Sequence, residues 1–230
     1  MGIGMRRADP RELPAYTILE VAHYLAVPPA TVRYWAVGRG SYAPLIVTPE
    51  HSPVLLSFLN LTELHLLASI RRVHDVKMPS IRKAIQYLEQ RARREIDRRH
   101  PLVSRDLETD GVDLFAQEYE SLINLSKAGQ TAMREVLDAA LSRIERDPNG
   151  IPVKLYPFTR ADDMVDAPAM IVIDPNLSAG RPVIAGTGLA VQLVAERYKA
   201  GESINDLVQD YERSHEEIEE AIRCELPVAA

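Results

Sequence analysis

Residues 16–35 (YTILEVAHYLAVPPATVRYW) constrain the fold of this chain more than any other segment. Thr17 and Glu20 have the spacing of a capping box, which predicts that a helix begins at this point. A break at Val27-Pro28 separates it from a second helix, which is predicted to end at Gly38. The apolar residues of both helices recur at helical spacing: Ile18, Val21, Ala22, Leu25, Val32 and Trp35. The segment therefore predicts two short helices joined by a tight turn, the arrangement of a helix-turn-helix.

The outward side of the second helix carries Ala30, Arg33 and Tyr34. A cation and a phenol on an exposed helix can reach phosphate oxygens or base edges in the major groove of DNA. Two short helices around a tight turn also occur as ordinary core structure that binds no nucleic acid. The pattern alone leaves both interpretations open.

A two-stranded hairpin is predicted next, because Gly40–Phe58 contains two apolar runs, Leu45–Val47 and Val54–Leu56, separated by a proline-bounded break. With this wing, residues 15–90 resemble the N-terminal DNA-binding domain of the MerR family. Members of that family begin YTIxEVA…LGVxxxTLRYW and continue through a wing into two further helices. The residues that the resemblance implies as DNA backbone contacts are Arg33, Tyr34, Arg39 and Tyr42.

Charge divides the chain into two halves of opposite sign. Residues 1–105 contain 16 Lys and Arg against 9 Asp and Glu, whereas the remaining residues contain 11 against 24. Screening limits electrostatic interactions to about 10 Å at physiological salt, so the basic half matters more for DNA than the net charge of the whole chain. The densest basic cluster could contact phosphates or could be the solvated end of a helix. It comprises Arg91, Arg93, Arg94, Arg98 and Arg99.

Between residues 60 and 170 the pattern predicts two helices and then a small α+β connector. Asn60 and Glu63 are expected to cap an almost wholly apolar helix, which needs partners on more than one side and favours packing against a second subunit. Ser80 is expected to open the next helix. Further predictions are strands at Val112–Gln117 and Ser121–Leu125, a helix over Thr131–Arg146, an extended segment at Pro152–Pro157, a hinge at Arg160–Pro168 and a strand at Met170–Ile173.

Residues 173–225 form a second informative segment. It contains Asp174-Pro175 followed by Gly180–Thr187, which reads GRPVIAGT. This segment resembles a small antitoxin-associated domain with the hallmark DPxxxxGRPVIxGT. Because its glycines supply unusual backbone angles and Pro182 fixes a torsion, the loop is predicted to be a defined turn and not a phosphate cradle. The family usually has Arg after the Thr of this motif, where this chain has Gly188.

Two helices with capping-box spacing are predicted near the end of the chain, beginning after Ser203 and Ser214. Two capped helices joined by a short turn resemble a second helix-turn-helix. Four glutamates lie on the last helix: Glu216, Glu217, Glu219 and Glu220. Like charges at this density would repel phosphates, so we expect this surface to bind protein, either a toxin or a second copy of the chain.

In this order, the two resemblances match antitoxins of toxin–antitoxin pairs of the VapBC kind over nearly the whole chain. They imply a homodimer that binds double-stranded operator DNA, represses its own promoter and neutralises a PIN-domain endoribonuclease. A cationic side chain could cap the Mg²⁺-binding carboxylates of such a toxin, and Arg181 is the candidate. Arg181 could equally form an internal salt bridge to Asp174 or hold the loop through a carbonyl.

The sequence shows no recognisable catalytic constellation or cofactor loop, and its six histidines and Cys224 lack metal-ligand spacing. We therefore expect a protein that is not an enzyme and that holds no metal and no cofactor. The polar N-terminus and the lack of a long apolar run predict a cytoplasmic protein without a membrane span. An alternative function is a MerR-type regulator that senses a small effector in a pocket lined by Phe115, Tyr119, Tyr156 and Phe158.

The predicted fold is α+β and mostly helical, in three parts. Residues 1–100 are expected to form a winged helix-turn-helix and residues 101–168 a small α+β connector. Residues 169–230 are expected to form a three-helix, helix-turn-helix-like domain.

Overall fold

The computed structural model describes residues 9–72, 78–104, 107, 127–160 and 167–226. Its architecture is α+β and mostly helical, as the sequence predicts. The helices are α1 (Ile18–Tyr24), α2 (Pro29–Val37), α3 (Phe58–Arg71), α4 (Met78–Arg91), α5 (Glu95–Arg99), α6 (Lys127–Leu141), α7 (Val191–Lys199), α8 (Ile204–Tyr211) and α9 (His215–Glu225). The strands are β1 (Tyr16–Thr17), β2 (Glu50–His51), β3 (Val54–Leu56), β4 (Ile144–Arg146), β5 (Pro152–Leu155), β6 (Ile171–Val172) and β7 (Val183–Ile184).

The first two helices form as their local sequence predicts. Thr17 Oγ1 accepts a hydrogen bond from the Glu20 amide at 3.2 Å, and Glu20 Oε2 accepts one from the Thr17 amide at 2.8 Å. This capping box starts α1 because it satisfies donors that the first helical turn leaves free. Gly38 ends α2 with a φ of +84°, and a Cβ there would lie 2.3 Å from the Tyr42 carbonyl oxygen. Glycine is therefore required at that position.

The hairpin after α2 is present, but its first strand differs from the prediction. β3 lies between β1 and β2, and Glu50 is paired with Leu55. The predicted strand at residues 45–47 is wrong, because the Leu45 amide donates to the Trp35 carbonyl at 2.7 Å and so closes the end of α2. This contact buries Leu45 and Ile46 without pairing them to β3.

Helix α3 lies at the centre of the larger hydrophobic core. Its N-cap is Ser57, which exchanges two hydrogen bonds of 3.1 Å with Asn60, so the cap assigned to Asn60 and Glu63 is wrong. Every residue of α3 from Phe58 to Ile70 is buried by the chain itself. The expectation that this helix packs against a second subunit is therefore wrong, because its own neighbours, including α6 and β5, already cover it.

The helix of the connector differs from the prediction at both ends, because it begins at Lys127 and not at Thr131. The predicted helix over Thr131–Arg146 instead ends at Leu141, because Ile144–Arg146 pairs with β5 in an antiparallel sheet in which Ile144 faces Leu155. The strands predicted between residues 112 and 125 lie outside the described residues, as does most of the predicted hinge at residues 160–168.

The C-terminal part forms a smaller core of its own. β6 pairs with β7, with Ile171 opposite Ile184, and α7, α8 and α9 pack against this sheet. Capping boxes at Ser203 and Ser214 begin α8 and α9, as predicted. A backbone bridge between Leu155 and Ile173 joins this part to the connector sheet. Within the described ranges, no helix has both the length and the apolar character that crossing a bilayer requires.

Candidate functional site

The outer side of α2 is accessible to solvent. Ala30 and Arg33 are exposed and Tyr34 is half-buried, because Val32, Trp35 and Ala36 turn toward the core. Arg39 and Tyr42 follow on the loop after α2 and are also exposed. Their backbones exchange two hydrogen bonds of 3.0 Å, which places the two residues next to each other. The structure thus places all five predicted DNA contacts on α2 and the adjoining loop.

Arg33 and Arg39 carry positive charge that no carboxylate of the described residues offsets. Among the residues that the structure describes, neither guanidinium takes part in an ion pair. Exposed cations without an internal salt bridge are available to phosphates, since no such bridge must break before they bind. This part of the surface therefore has the charge that a nucleic-acid interface requires.

The arginine cluster near α5 is different, because most of its charge is used within the chain. Arg94 pairs with Asp97 at 2.5 Å, Arg98 with Glu95 at 3.3 Å and Arg99 with Glu12 at 2.5 Å. Arg91 instead lies over the Tyr87 ring, 5.5 Å from its centroid. These internal contacts favour the interpretation of a structural helix end over that of a phosphate-binding patch.

Arg181 lies in the GRPVIAGT loop and reaches α1. Its Nη1 atom is 2.5 Å from Glu20 Oε1, and its guanidinium lies 6.0 Å from the centroid of the Tyr16 ring. The internal salt bridge considered from the sequence is therefore present, but its partner is Glu20 and not Asp174. Glu20 thus both closes the capping box of α1 and holds Arg181.

Tyr16 makes a second contact between the same loop and the N-terminal part. Its hydroxyl donates to the Gly180 carbonyl at 3.0 Å, and the side chain is fully buried. Burial raises the pKa of Tyr16, so the hydroxyl remains a neutral donor. Gly180 has a φ of +78°, and a Cβ there would lie 2.4 Å from the Tyr16 hydroxyl oxygen. The glycine thus allows both the turn and the close approach of the ring.

The other end of α1 contacts α9. His23 Nε2 lies 3.5 Å from Glu225 Oε2, and the nearby carboxylate raises the pKa of His23. Together with the Arg181–Glu20 pair, this contact attaches α1 to the C-terminal part at two points. Helix α1 therefore contacts both α2 and the C-terminal part of the chain.

The acidic surface of α9 is smaller than the sequence predicts. Glu220 is fully buried, where it accepts hydrogen bonds from Thr159 and Arg160, each at 2.5 Å, and pairs with Arg223. The expectation that four glutamates face solvent is wrong at this position, because Glu220 binds the chain that follows β5. Glu216 is exposed, and Glu217 caps the helix.

The sequence does not reveal that Tyr16, Gly180 and Glu20 belong to one contact. Each has a local interpretation, as core, turn or cap, and Gly180 is 164 positions from Tyr16. Of the residues expected to line an effector pocket, Phe115 and Tyr119 lie outside the described residues. Phe158 is buried against His65 with ring centroids 5.1 Å apart, and it also lines a cavity of about 320 Å³ beside α1 and α9. Tyr156 is half-buried, and its hydroxyl donates to Glu145 at 2.5 Å.

Known proteins resemble this chain along most of its length. Residues 171–223 match a family described as "Protein of unknown function (DUF433)". A Mycobacterium tuberculosis protein named "Putative antitoxin VapB45" is 29% identical, over 92% of this chain and 93% of that protein. "Uncharacterized protein Rv2308" from the same organism is 27% identical, over 90% and 88%. The crystal structure of Rv2018 from Mycobacterium tuberculosis has a TM-score of 0.69 and 25% identity, over 91% of this chain and 98% of that one.

The Tyr16–Gly180 contact can be tested with two glycine substitutions. Gly186 has a φ of +74°, similar to that of Gly180, but a Cβ added there would have no atom within 4 Å. We expect Gly186→Ala to lower the free energy of unfolding by about 1–2 kcal/mol, the cost of a left-handed alanine. Gly180→Ala should cost more, because it also displaces the Tyr16 ring, and thermal or denaturant unfolding measures both. Equal losses would show that the close contact contributes nothing.

Proposed function

We propose that this protein is a cytoplasmic antitoxin that neutralises a PIN-domain endoribonuclease toxin by direct binding. It also represses its own operon by binding operator DNA as a homodimer. The observation that carries the proposal is the similarity to a protein named as an antitoxin, which extends over 92% of this chain. The proposal assigns binding to the chain and no chemical reaction.

The DNA-binding part of the proposal rests on the exposed side of α2. Arg33 and Arg39 are exposed and lack ion-pair partners among the described residues, and Tyr42 is 55% exposed. Two copies related by a two-fold axis would present two α2 helices to successive major grooves of an operator. The α2 helix of each copy then contacts the phosphates of one half-site.

The toxin-binding part of the proposal rests on the C-terminal part of the chain. Its outer side carries an exposed carboxylate at Glu212, and the exposed Asp206, Asp210 and Glu216 add negative charge although they also contact Ser203, Arg197 and Arg160. A surface of this sign repels DNA and attracts a basic protein surface. Arg181 is the candidate that reaches the acidic metal site of the toxin. It is partly exposed, with 39% of its side chain accessible, and would exchange Glu20 for toxin carboxylates.

The first test asks whether the protein has a ribonuclease partner. The full-length chain, tagged and expressed in its own host, should co-purify with a single small protein that mass spectrometry identifies. The released partner should cleave RNA in the presence of Mg²⁺, and adding back the chain should suppress cleavage at a fixed stoichiometry. Recovery of the chain without such a partner, from cells that express its neighbouring genes, would contradict the antitoxin proposal.

Binding of the α2 face to DNA can be tested with a matched pair of arginines. Arg33→Ala should weaken binding to the DNA upstream of the gene and lower the slope of log affinity against log salt by about one, since one phosphate contact is lost. Arg98→Ala is the control, because Arg98 is also exposed but pairs with Glu95. Fluorescence anisotropy at several salt concentrations gives both slopes. Identical slopes for the two variants and the parent protein would rule out a phosphate contact at Arg33.

Two variants can distinguish direct toxin binding by Arg181 from its role in holding the loop on α1. Arg181→Gln and Glu20→Gln both remove the salt bridge between the loop and α1. If Arg181 binds the toxin, Arg181→Gln should weaken toxin binding by about tenfold, the loss of a charged hydrogen bond, whereas Glu20→Gln should preserve it. Calorimetric titration with the purified toxin measures both affinities. Equal weakening in both variants would show that the pair acts only by holding the loop on α1.

A further inference from the structure

A cleft lies beside α2, between this helix, the end of α3 and the beginning of α4. Its volume is about 490 Å³. Cavities that bind small molecules have volumes of about 300–1,000 Å³, so the cleft is large enough for a small organic ligand. Ala30, Tyr34 and Arg39, three of the predicted DNA contacts, are among its lining residues.

The floor of the cleft is apolar. Trp35, Leu67, Ile70 and Ile81 lie in its lining but are each no more than 2% exposed, so the accessible apolar surface belongs to Tyr34 and Met78, which are half-buried. Both of these side chains pack against the core, so this surface is preformed. An aromatic ring or a branched hydrocarbon would be removed from water on this surface, and its binding would be favourable.

The rim of the cleft is cationic. Arg39 and Arg71 line it, and Arg71 Nη1 donates to Thr31 Oγ1 at 2.7 Å, which holds its guanidinium at the edge of α2. No aspartate or glutamate is among the described residues that line the cleft. Among the residues that the structure describes, the rim therefore presents two guanidinium groups that no carboxylate neutralises. An organic acid would satisfy both through charge-assisted hydrogen bonds.

We propose that this cleft binds a small organic acid with an aromatic or branched hydrocarbon body. The body lies against Tyr34 and Met78, and the acid group binds Arg39 and Arg71. A phosphate of the DNA backbone would satisfy the arginines but leave the apolar floor uncovered, so the floor favours an organic ligand. The proposed consequence rests on the DNA-binding function above: the ligand occupies Tyr34 and Arg39 and so lowers affinity for the operator.

The cleft can be tested without DNA, because Trp35 is the single tryptophan of the chain. The probe is 8-anilinonaphthalene-1-sulfonate, an aromatic anion, and its neutral counterpart is N-phenyl-1-naphthylamine, which has the same rings without the sulfonate. We expect the anion to quench Trp35 fluorescence by energy transfer and to saturate at one molecule per chain. The neutral analogue should bind about tenfold more weakly, because it lacks the charged hydrogen bonds.

Two variants locate the probe in the cleft. Arg71→Gln should weaken binding of the anion by about tenfold and leave the neutral analogue unaffected. Arg98→Gln is the matched control, because this exposed arginine does not line the cleft, and it should change neither affinity. Ala30→Leu, at an exposed position of the lining, should weaken both probes by filling the entrance.

Three results would overturn the proposal. The neutral analogue could bind as tightly as the anion, or Arg71→Gln and Arg98→Gln could have the same effect. Inorganic phosphate could also displace the anion at a phosphate concentration equal to or below that of the anion. This result would identify the cleft as a contact for DNA phosphates. Since these titrations contain no DNA, they remain informative if the operator experiment with Arg33→Ala fails. Conversely, a failed titration does not alter the salt dependence measured there.

Discussion

The burial of α3 is the constraint on which the rest of the structure depends. A helix buried on every side must satisfy its polar side chains within the protein, because water cannot reach them. Asn60 donates to the Val47 carbonyl at 2.8 Å, Glu63 contacts His100 at 2.9 Å, and His65 contacts the Ala140 carbonyl at 3.3 Å. Burial lowers the pKa of His65 to about 3, so this ring is neutral. These three contacts specify which segments cover α3: the chain before β2, the end of α5 and the end of α6.

This arrangement also explains why the two ends of the chain meet at α1. Tyr16 belongs to β1, which pairs with β3 directly before α3, and its hydroxyl extends to Gly180. The GRPVIAGT loop therefore rests on a segment that the central core already fixes in position. The loop contacts α1 through the Arg181–Glu20 pair, and α1 packs against α2. The surface proposed for the toxin and the surface proposed for DNA thus both contact one helix, α1.

The sequence predicts the features whose information is local. The capping boxes at Thr17, Ser203 and Ser214 each depend on two residues three positions apart, and all three are present. Contacts between distant residues could not be predicted because no spacing encodes them: Arg181 pairs with Glu20 and not with the nearby Asp174, and Glu220 lies inward against Arg160. The hairpin differs from its prediction for a related reason. The apolar residues 45–47 are typical of a strand, but the Leu45 amide is already bonded to the end of α2.

The distribution of ion pairs changes how the charge of the sequence should be interpreted. The arginine-rich cluster is the most basic stretch of the chain, yet Arg94, Arg98 and Arg99 each have a carboxylate partner. Arg33 and Arg39 stand in a less basic stretch and take part in no ion pair among the described residues. A phosphate that approaches the cluster must compete with internal carboxylates, whereas Arg33 and Arg39 have no such carboxylate among the described residues. Unpaired charge among the described residues, and not charge density along the sequence, is therefore the reason for proposing α2 as the DNA-binding face.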